Sequence, residues 1–147
     1  MRLVENLSHR QRELTPPLFA EWLVAEVRRR YGVWNLAALW VRSDSHYGQL
    51  AGVDCWDAGR DAYLYRGPHP VICHPPCGPW GKYSAVSRQD KAAGPLALLF
   101  ADLFGGVVEQ PVGSRLFAGG QVVSQHDWGH LADKRTKLYW SRAREAL

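Results

Sequence analysis

The residues best suited to chemistry lie in one segment, Val71-Ile72-Cys73-His74-Pro75-Pro76-Cys77, which ends in a thiol. An apolar run that stops at two prolines indicates a buried strand followed by a stiff loop, and proline would fix the backbone around Cys77. A thiolate is a good nucleophile when nearby cations lower its pKa, and His74, Lys82 and Arg115 are candidates for this task. The sequence therefore predicts a nucleophile at Cys77, with a purely structural cysteine as the alternative.

A carboxylate, Glu109, emerges from a second apolar run, Gly106-Val107-Val108, which stops at Gln110-Pro111. If the two runs form neighbouring parallel strands, their carboxyl ends meet at one edge of the sheet and bring Glu109 to Cys77. A thiol paired with a carboxyl group that can protonate a ring nitrogen can attack C6 of a pyrimidine and activate its C5. The pair therefore predicts chemistry on a pyrimidine base.

The elements that would position these residues follow from apolar periodicity. We predict strands at residues 36–41, 71–73, 106–109 and 137–140, a short helix at 57–65, and helices at about 15–31, capped by Thr15, and 96–104. A strand, a helix and a strand in succession indicate a parallel crossover. We therefore expect one α/β domain over residues 1–147, with its core at about 36–140. Its expected architecture is a small Rossmann-like three-layer sandwich with a mostly parallel sheet.

Composition sets limits on the class of protein. The chain has 147 residues, 46% of them hydrophobic, and its net charge of +4 and seven tryptophans suit a polyanionic, base-stacking partner as well as ordinary core packing. No apolar run is long enough for a membrane span, and the first residues do not resemble an export signal, so a cytoplasmic protein without a membrane partner is expected.

The three cysteines do not predict a disulfide framework or a metal site. Three is an odd number, and Cys73 lies in an apolar run that favours a core role, while Cys55 is expected to be structural as well. His126 and His130 are four residues apart, but Gly129 weakens the helix that would present both to a metal. We therefore expect no metal, with a zinc-stabilised structural protein as an alternative.

The sequence resembles the cytosine-5 DNA methyltransferases in two motifs, Pro75-Pro76-Cys77 with Ser84 seven residues later, and Glu109-x-Pro111. It is also similar to small phage and prophage proteins labelled methyltransferase-like, over about 100 residues from Trp40 to Trp140. That second similarity is carried by Val41 to Tyr47, Gly52 to Asp57, His74 to Cys77, Glu109 to Leu116, and Trp128 to His130 with Lys134.

The resemblance implies methyl transfer from S-adenosylmethionine to C5 of a pyrimidine. Cys77 would attack C6, and Glu109 would hydrogen-bond the base at N3 and its exocyclic amine. The further site residues are implied as follows: Arg115 and Ser84 as catalytic residues; Asp44, Trp56 and either Asp54 or Asp57 at the cofactor; and His74, Trp80, Lys82, His130 and Lys134 at the substrate.

The sequence also departs from the methyltransferase pattern. Residues 42–47 stand where the family has a glycine-rich turn, and the chain has no separate recognition domain to hold a flipped base. The expected substrate is therefore single-stranded DNA, DNA presented by a partner, or a pyrimidine nucleotide. A protein partner or a second copy of the chain would supply recognition. The expected location is the cytoplasm of a bacterial host cell. The alternatives are another C5 substitution, a deamination, and a non-catalytic module on a degenerate methyltransferase fold that binds nucleic acid or protein.

Overall fold

The computed structural model describes residues 16–129 and 134–142, which form two α-helices and six strands. The helices are α1 (Pro17–Tyr31) and α2 (Ala93–Phe104). The strands are β1 (Leu36–Leu39), β2 (Val53–Trp56), β3 (Val71–Cys73), β4 (Gly106–Pro111), β5 (Gln121–Ser124) and β6 (Arg135–Trp140). None of the helices in these ranges is long and apolar enough to cross a membrane.

The six strands form one sheet in the order β2-β1-β3-β4-β6-β5. The first four are parallel, whereas β6 runs antiparallel to both of its neighbours, β4 and β5. Helix α2 connects β3 to β4 and packs on both strands, as a parallel crossover requires. The α/β class and the mostly parallel sheet are therefore confirmed.

The core lies on both faces of the sheet because successive strand residues point in opposite directions. On one face, α1 packs against residues that include Leu36, Ala38 and Ile72. On the other face, α2 packs against a set that includes Leu39 and Cys73. Every residue of β1 and β3 is consequently buried, which explains their uninterrupted apolar sequences and confirms the core position of Cys73.

Strand β4 can begin close to β3 only because its first residue is a glycine. Gly106 has φ +124°, and a Cβ at this position would lie 1.9 Å from the backbone oxygen of Val71. This close approach starts the register that pairs Cys73 with Val108. The residues that follow these two, His74 and Glu109, are thereby brought to the same edge of the sheet.

Several predicted elements differ from the structure. The first strand ends at Leu39, since Trp40 leaves the extended conformation with φ +56°. Residues 57–65 contain only a 3₁₀ turn at Ala62–Leu64 in place of the predicted helix, and helix α1 starts after Pro16. The sequence did not predict β2 or β5, which are edge strands with partly exposed and polar residues. Thr15, the predicted helix cap, lies outside the described residues.

Candidate functional site

The carboxyl ends of β1 and β3 border a crevice at the point where the strand order reverses. The chain leaves β1 for β2 on one side of it and then returns to β3 on the other side, and ligands of open α/β sheets bind at such switch points. Two adjoining cavities, of about 320 and 830 Å³, open at this edge. They share six lining residues, Trp40, Val41, Arg42, His74, Pro76 and Gln89.

The smaller cavity, here called the thiol cleft, contains the two residues on which the predicted chemistry depends. Cys77 and Glu109 both line it, together with His74 and Lys134. The parallel pairing of β3 and β4 brings these side chains to one edge, as expected from the strand pattern. The Cys77 thiol belongs to an exposed residue, whereas Glu109 is only 9% exposed at the base of the cleft.

A chain of hydrogen bonds fixes the floor of the thiol cleft. His74 Nδ1 lies 2.9 Å from Glu109 Oε1, and His74 Nε2 lies 2.8 Å from the hydroxyl of the fully buried Tyr47. The hydroxyl of Thr136, from β6, donates to the other carboxylate oxygen, Glu109 Oε2. Both oxygens of Glu109 and both nitrogens of His74 are therefore held in place by protein groups.

The electrostatics of the cleft keep Glu109 ionised. Burial alone would raise the pKa of this carboxyl, but the hydrogen bond and charge of His74, the hydrogen bond of Thr136 and the charge of Lys134 outweigh it and lower the pKa. Burial, and then the negative charge of Glu109, raise the pKa of Tyr47 well above its ordinary value.

The three cations expected to activate Cys77 are divided among different places. His74 lines the thiol cleft, but its ring is engaged on both sides. Arg115 donates to the backbone oxygen of Gly81 and lines a separate cavity, and Lys82 lies 5.6 Å from the ring centre of its neighbour Tyr83. Lys134 is the lysine that lines the cleft itself.

The larger cavity, here called the acidic cavity, collects most of the residues implied for a cofactor. Asp44, Trp56 and Asp57 line it, together with Asp61. Asp54 lies elsewhere, at the amino ends of β1 and β2, where Arg60 and the Trp56 indole hydrogen-bond its carboxylate and lower its pKa. Of the two acidic residues considered for the cofactor, Asp57 is the one beside this cavity.

The acidic cavity has the size, the aromatic walls and the hydrogen-bond acceptors that S-adenosylmethionine, the cofactor implied by the resemblance, would need. Its volume lies within the range of roughly 300–1,000 Å³ that is typical of small-molecule sites. Trp40 and Trp56 supply aromatic walls for an adenine ring, and the carboxylates of Asp44 and Asp57 can accept hydrogen bonds from ribose hydroxyls or the amino group. The residues present therefore fit the group.

Trp40 forms part of the wall between these two cavities in a conformation that L-residues rarely adopt. Its φ of +56° is the one positive value among non-glycine residues in the described ranges. Its ring is held by Phe100, at 6.3 Å between ring centres, and by Tyr63 at 6.0 Å. Strained backbone of this kind is concentrated at functional sites, where surrounding packing maintains it.

The other predicted residues lie outside the thiol cleft. Ser84, Trp80 and Arg115 line a third cavity of about 460 Å³, here called the basic cavity. Lys82 is exposed on the loop before it, and His130 falls outside the described residues. Within the ranges that the structure describes, no three His, Cys, Asp or Glu side chains form a group that could hold a metal.

Sequence reasoning missed several residues that build the site, namely Trp40, Tyr47, Gln89 and Thr136. Comparisons with protein-family models, with curated proteins and with solved structures give no match. A functional assignment therefore depends on the geometry of the cleft and on the chemistry of its residues.

Proposed function

We propose that the protein is a pyrimidine base-modifying enzyme of the cytosine-5 methyltransferase type, a phage-type DNA or nucleotide methyltransferase of the bacterial cytoplasm. The observation that carries the proposal is that Cys77 and Glu109 line one cleft, which adjoins the acidic cavity at the switch point of the sheet. A thiol and a carboxylate at a base site, beside a cavity with room for a cofactor, are the components this reaction needs.

In the proposed reaction the exposed Cys77 thiol gives its proton to solvent. The thiolate then adds to C6 of the base, and the electron pair of the C5–C6 double bond moves toward C5. The ionised Glu109 has no proton to give to the ring nitrogen, so in place of the protonation expected from the sequence it accepts a hydrogen bond from the exocyclic amine and holds the ring beside the thiol. Once C5 carries the new methyl group, solvent takes the C5 proton, and the electron pair of that C–H bond restores the C5–C6 double bond as the C6–S bond breaks and the thiolate leaves. Tyr47 and Thr136 act as positioning residues, because they contact His74 and Glu109.

S-adenosylmethionine, when bound, would supply the methyl group, and Asp44, Trp56 and Asp57 are the residues that would hold it. The fold supports this assignment, since a helix packs on each face of a mostly parallel sheet. We propose on this basis that the domain is a Rossmann-like three-layer sandwich. A protein partner or a second copy of the chain would supply the recognition of DNA.

One observation favours a second function, a non-catalytic binding module. Both ring nitrogens of His74 are engaged by Tyr47 and Glu109, so this imidazole is not free to take the Cys77 proton. A cleft with a fixed polar floor and an exposed thiol could bind a base, or a partner's side chain, without reacting. Binding that persists without turnover, and is indifferent to Cys77, would identify this function.

The test uses single-stranded DNA that contains 5-fluorocytosine, incubated with the protein and S-adenosylmethionine. Fluorine cannot leave C5 as a cation, so an enzyme of this type becomes trapped as a covalent Cys77 adduct that survives denaturation. We expect the adduct in the wild type and in Cys55→Ala, and its loss in Cys77→Ala. Binding of the DNA with no adduct and no affinity for S-adenosylmethionine would overturn the proposal in favour of a binding module.

A further inference from the structure

The basic cavity lies next to the thiol cleft and carries two positive charges. Arg115 and Lys91 line it together with two hydroxyl residues, Ser84 and Ser87. None of the described residues that line it is acidic, whereas three carboxylates line the acidic cavity. An anion is therefore favoured in the basic cavity over the acidic one, where the carboxylates outnumber the single arginine, Arg42.

The guanidinium of Arg115 is held in place through one of its three nitrogens. Its Nη2 donates to the backbone oxygen of Gly81 and to the hydroxyl of Ser84, and both of its described side-chain hydrogen bonds use this nitrogen. The backbone is fixed as well, since the Arg115 amide donates to the Trp80 carbonyl at 2.8 Å. Nε and Nη1 keep donors that no described group accepts, and each can donate to an anion from its own side of the guanidinium.

Lys91 adds a second cation to the lining of the cavity. Its ammonium lies 5.4 Å from the ring centre of Trp80, which also lines the cavity. The adjacent carboxylate, Asp90, accepts hydrogen bonds from the Tyr63 hydroxyl and from the Ala92 amide, at 2.9 Å for the latter. These bonds direct the Asp90 carboxylate to partners other than Lys91.

Gln89 connects the basic cavity to the thiol cleft. It lines the basic cavity, the thiol cleft and the acidic cavity alike. Its side-chain oxygen accepts the Gly78 amide at 2.8 Å, which ties the loop after Cys77 to the rim of the basic cavity. The thiol cleft and the basic cavity therefore meet at Gln89, and a ligand long enough to pass this side chain would reach from one to the other.

We propose that the basic cavity binds a phosphate group of the molecule whose base enters the thiol cleft. This inference rests on the proposed function and deepens it, because it names the substrate as a phosphorylated pyrimidine nucleotide, free or within a single strand, rather than a nucleobase or nucleoside. Arg115 donates a charge-assisted hydrogen bond to the phosphate through Nε or Nη1, and Lys91 neutralises its remaining charge. Arg115 is then a phosphate-binding residue and acts away from the reacting carbon.

The experiment measures the affinities of dCMP, deoxycytidine and deoxyribose 5-phosphate by calorimetric titration. We expect dCMP to bind about tenfold or more tightly than deoxycytidine, in line with the strength of charge-assisted hydrogen bonds. Arg115→Gln should remove most of this preference, and Lys91→Gln should reduce it severalfold. The matched control is Arg88→Gln, which removes an exposed cation between two lining residues, Ser87 and Gln89, and should leave the preference unchanged.

The outcomes separate this inference from the proposed function. If deoxycytidine and dCMP bind equally well, or if Arg88→Gln acts as strongly as Arg115→Gln, the phosphate site is refuted while the base site stands. If deoxycytidine does not bind but deoxyribose 5-phosphate does, with a loss in Arg115→Gln, the phosphate site stands and the pyrimidine assignment fails. Absence of binding by all three ligands overturns the phosphate site.

Discussion

His74 Nδ1 and Glu109 Oε1 lie 2.9 Å apart, across the boundary between β3 and β4. The contact joins the motif that contains Cys77 to the motif that contains Glu109. It forms because Cys73 pairs with Val108 in the sheet, and His74 and Glu109 are the residues that follow these two. Its position at the base of the thiol cleft gives the cleft a fixed negative charge beside an exposed thiol. Several measurable properties follow from this pair and its neighbours.

The first prediction concerns the stability of the protein in acid. The pKa of Glu109 is lower in the folded protein than in an unfolded chain, so the ionised carboxylate stabilises the fold. This contribution is present above the ordinary glutamate pKa of about 4.3 and is lost as the pH falls through the lower folded value. Glu109→Gln should cost about 1–3 kcal/mol at pH 7 and flatten this part of the acid profile.

Urea unfolding between pH 7 and pH 3 provides the measurement for Glu109. The control is Asp127→Asn, which neutralises an exposed carboxylate in the turn after β5 and should shift the free energy of unfolding by no more than about 0.5 kcal/mol. A Glu109→Gln protein with the same acid profile as the wild type would contradict the ionised, hydrogen-bonded state of this residue.

The second prediction concerns alkaline pH and Tyr47. Burial raises the pKa of this phenol well above its ordinary value, so the folded protein holds the proton more strongly than the unfolded chain. The stabilisation is complete below about pH 10 and is lost as the pH rises from there toward the folded pKa. Tyr47→Phe should remove this loss and cost roughly 1–2 kcal/mol at pH 7, because His74 Nε2 loses its partner.

Guanidinium unfolding at pH 7 and pH 11 measures this effect. Tyr83→Phe is the matched control, since it removes the hydroxyl of an exposed tyrosine and should leave both free energies close to those of the wild type. An equal effect of the two substitutions would show that Tyr47 is not a buried hydrogen-bonding partner of His74.

The sequence predicted the strands whose two faces are both buried, and it missed those at the edges. Strand β3 matches its predicted bounds because helices cover both faces and leave an uninterrupted apolar run. Strands β2 and β5 lie at the edges of the sheet, where exposed positions dilute the apolar pattern. Burial on both faces, rather than intrinsic preference for extended backbone, made a strand recognisable in this chain.

The same contrast applies to the thiol cleft. The presence of Cys77 and Glu109 in one cleft could be predicted because parallel neighbouring strands bring the residues at their carboxyl ends to one edge of the sheet. Tyr47 and Thr136 could not be predicted, since each reaches its partner across 27 residues and no local pattern marks either residue. Arg115 was expected near Cys77, because its loop follows β4 at the same edge of the sheet. The backbone amide of Arg115 instead bonds to the Trp80 carbonyl, and its side chain lines the basic cavity.

The third prediction is an order of cysteine reactivity. Cys77 is exposed, Cys55 is partly buried with a pKa raised by burial, and Cys73 is fully buried with a pKa raised well above the usual value. With iodoacetamide, Cys77 should react first and Cys55 more slowly, whereas Cys73 should react roughly a thousandfold more slowly, through unfolding. Mass spectrometry of peptides over time measures the three rates.

Two variants complete this test. Cys77→Ala should leave the free energy of unfolding within about 0.5 kcal/mol of the wild type, as expected for an exposed side chain. Cys73→Ala should destabilise the protein, because it removes atoms packed beneath α2. Fast labelling of Cys73 under native conditions would contradict its place in the core.

The fourth prediction isolates the backbone strain at Trp40. A protein with glycine in an extended segment is ordinarily less stable, by about 0.5–1 kcal/mol, than the same protein with alanine there, because glycine loses more conformational freedom on folding. With φ at +56°, an alanine residue at position 40 is strained and a glycine residue is not, so the glycine variant should be the more stable of the two. Trp40→Gly should therefore be more stable than Trp40→Ala by about 1 kcal/mol, although both lose the ring contacts with Phe100 and Tyr63.

Chemical denaturation measures the free energy of unfolding of both Trp40 variants and of Trp56→Ala and Trp56→Gly. All four variants lose an indole ring, so the difference between alanine and glycine at each position reports the backbone alone. Trp56 lies in β2 without a positive φ, so alanine should be the more stable replacement at that position. The ring and the backbone at position 40 then have separate roles. The ring lines both cavities, whereas the left-handed backbone ends β1 and turns the chain across the opening of the cleft. If alanine were the more stable replacement at both positions, β1 would not end in a strained turn.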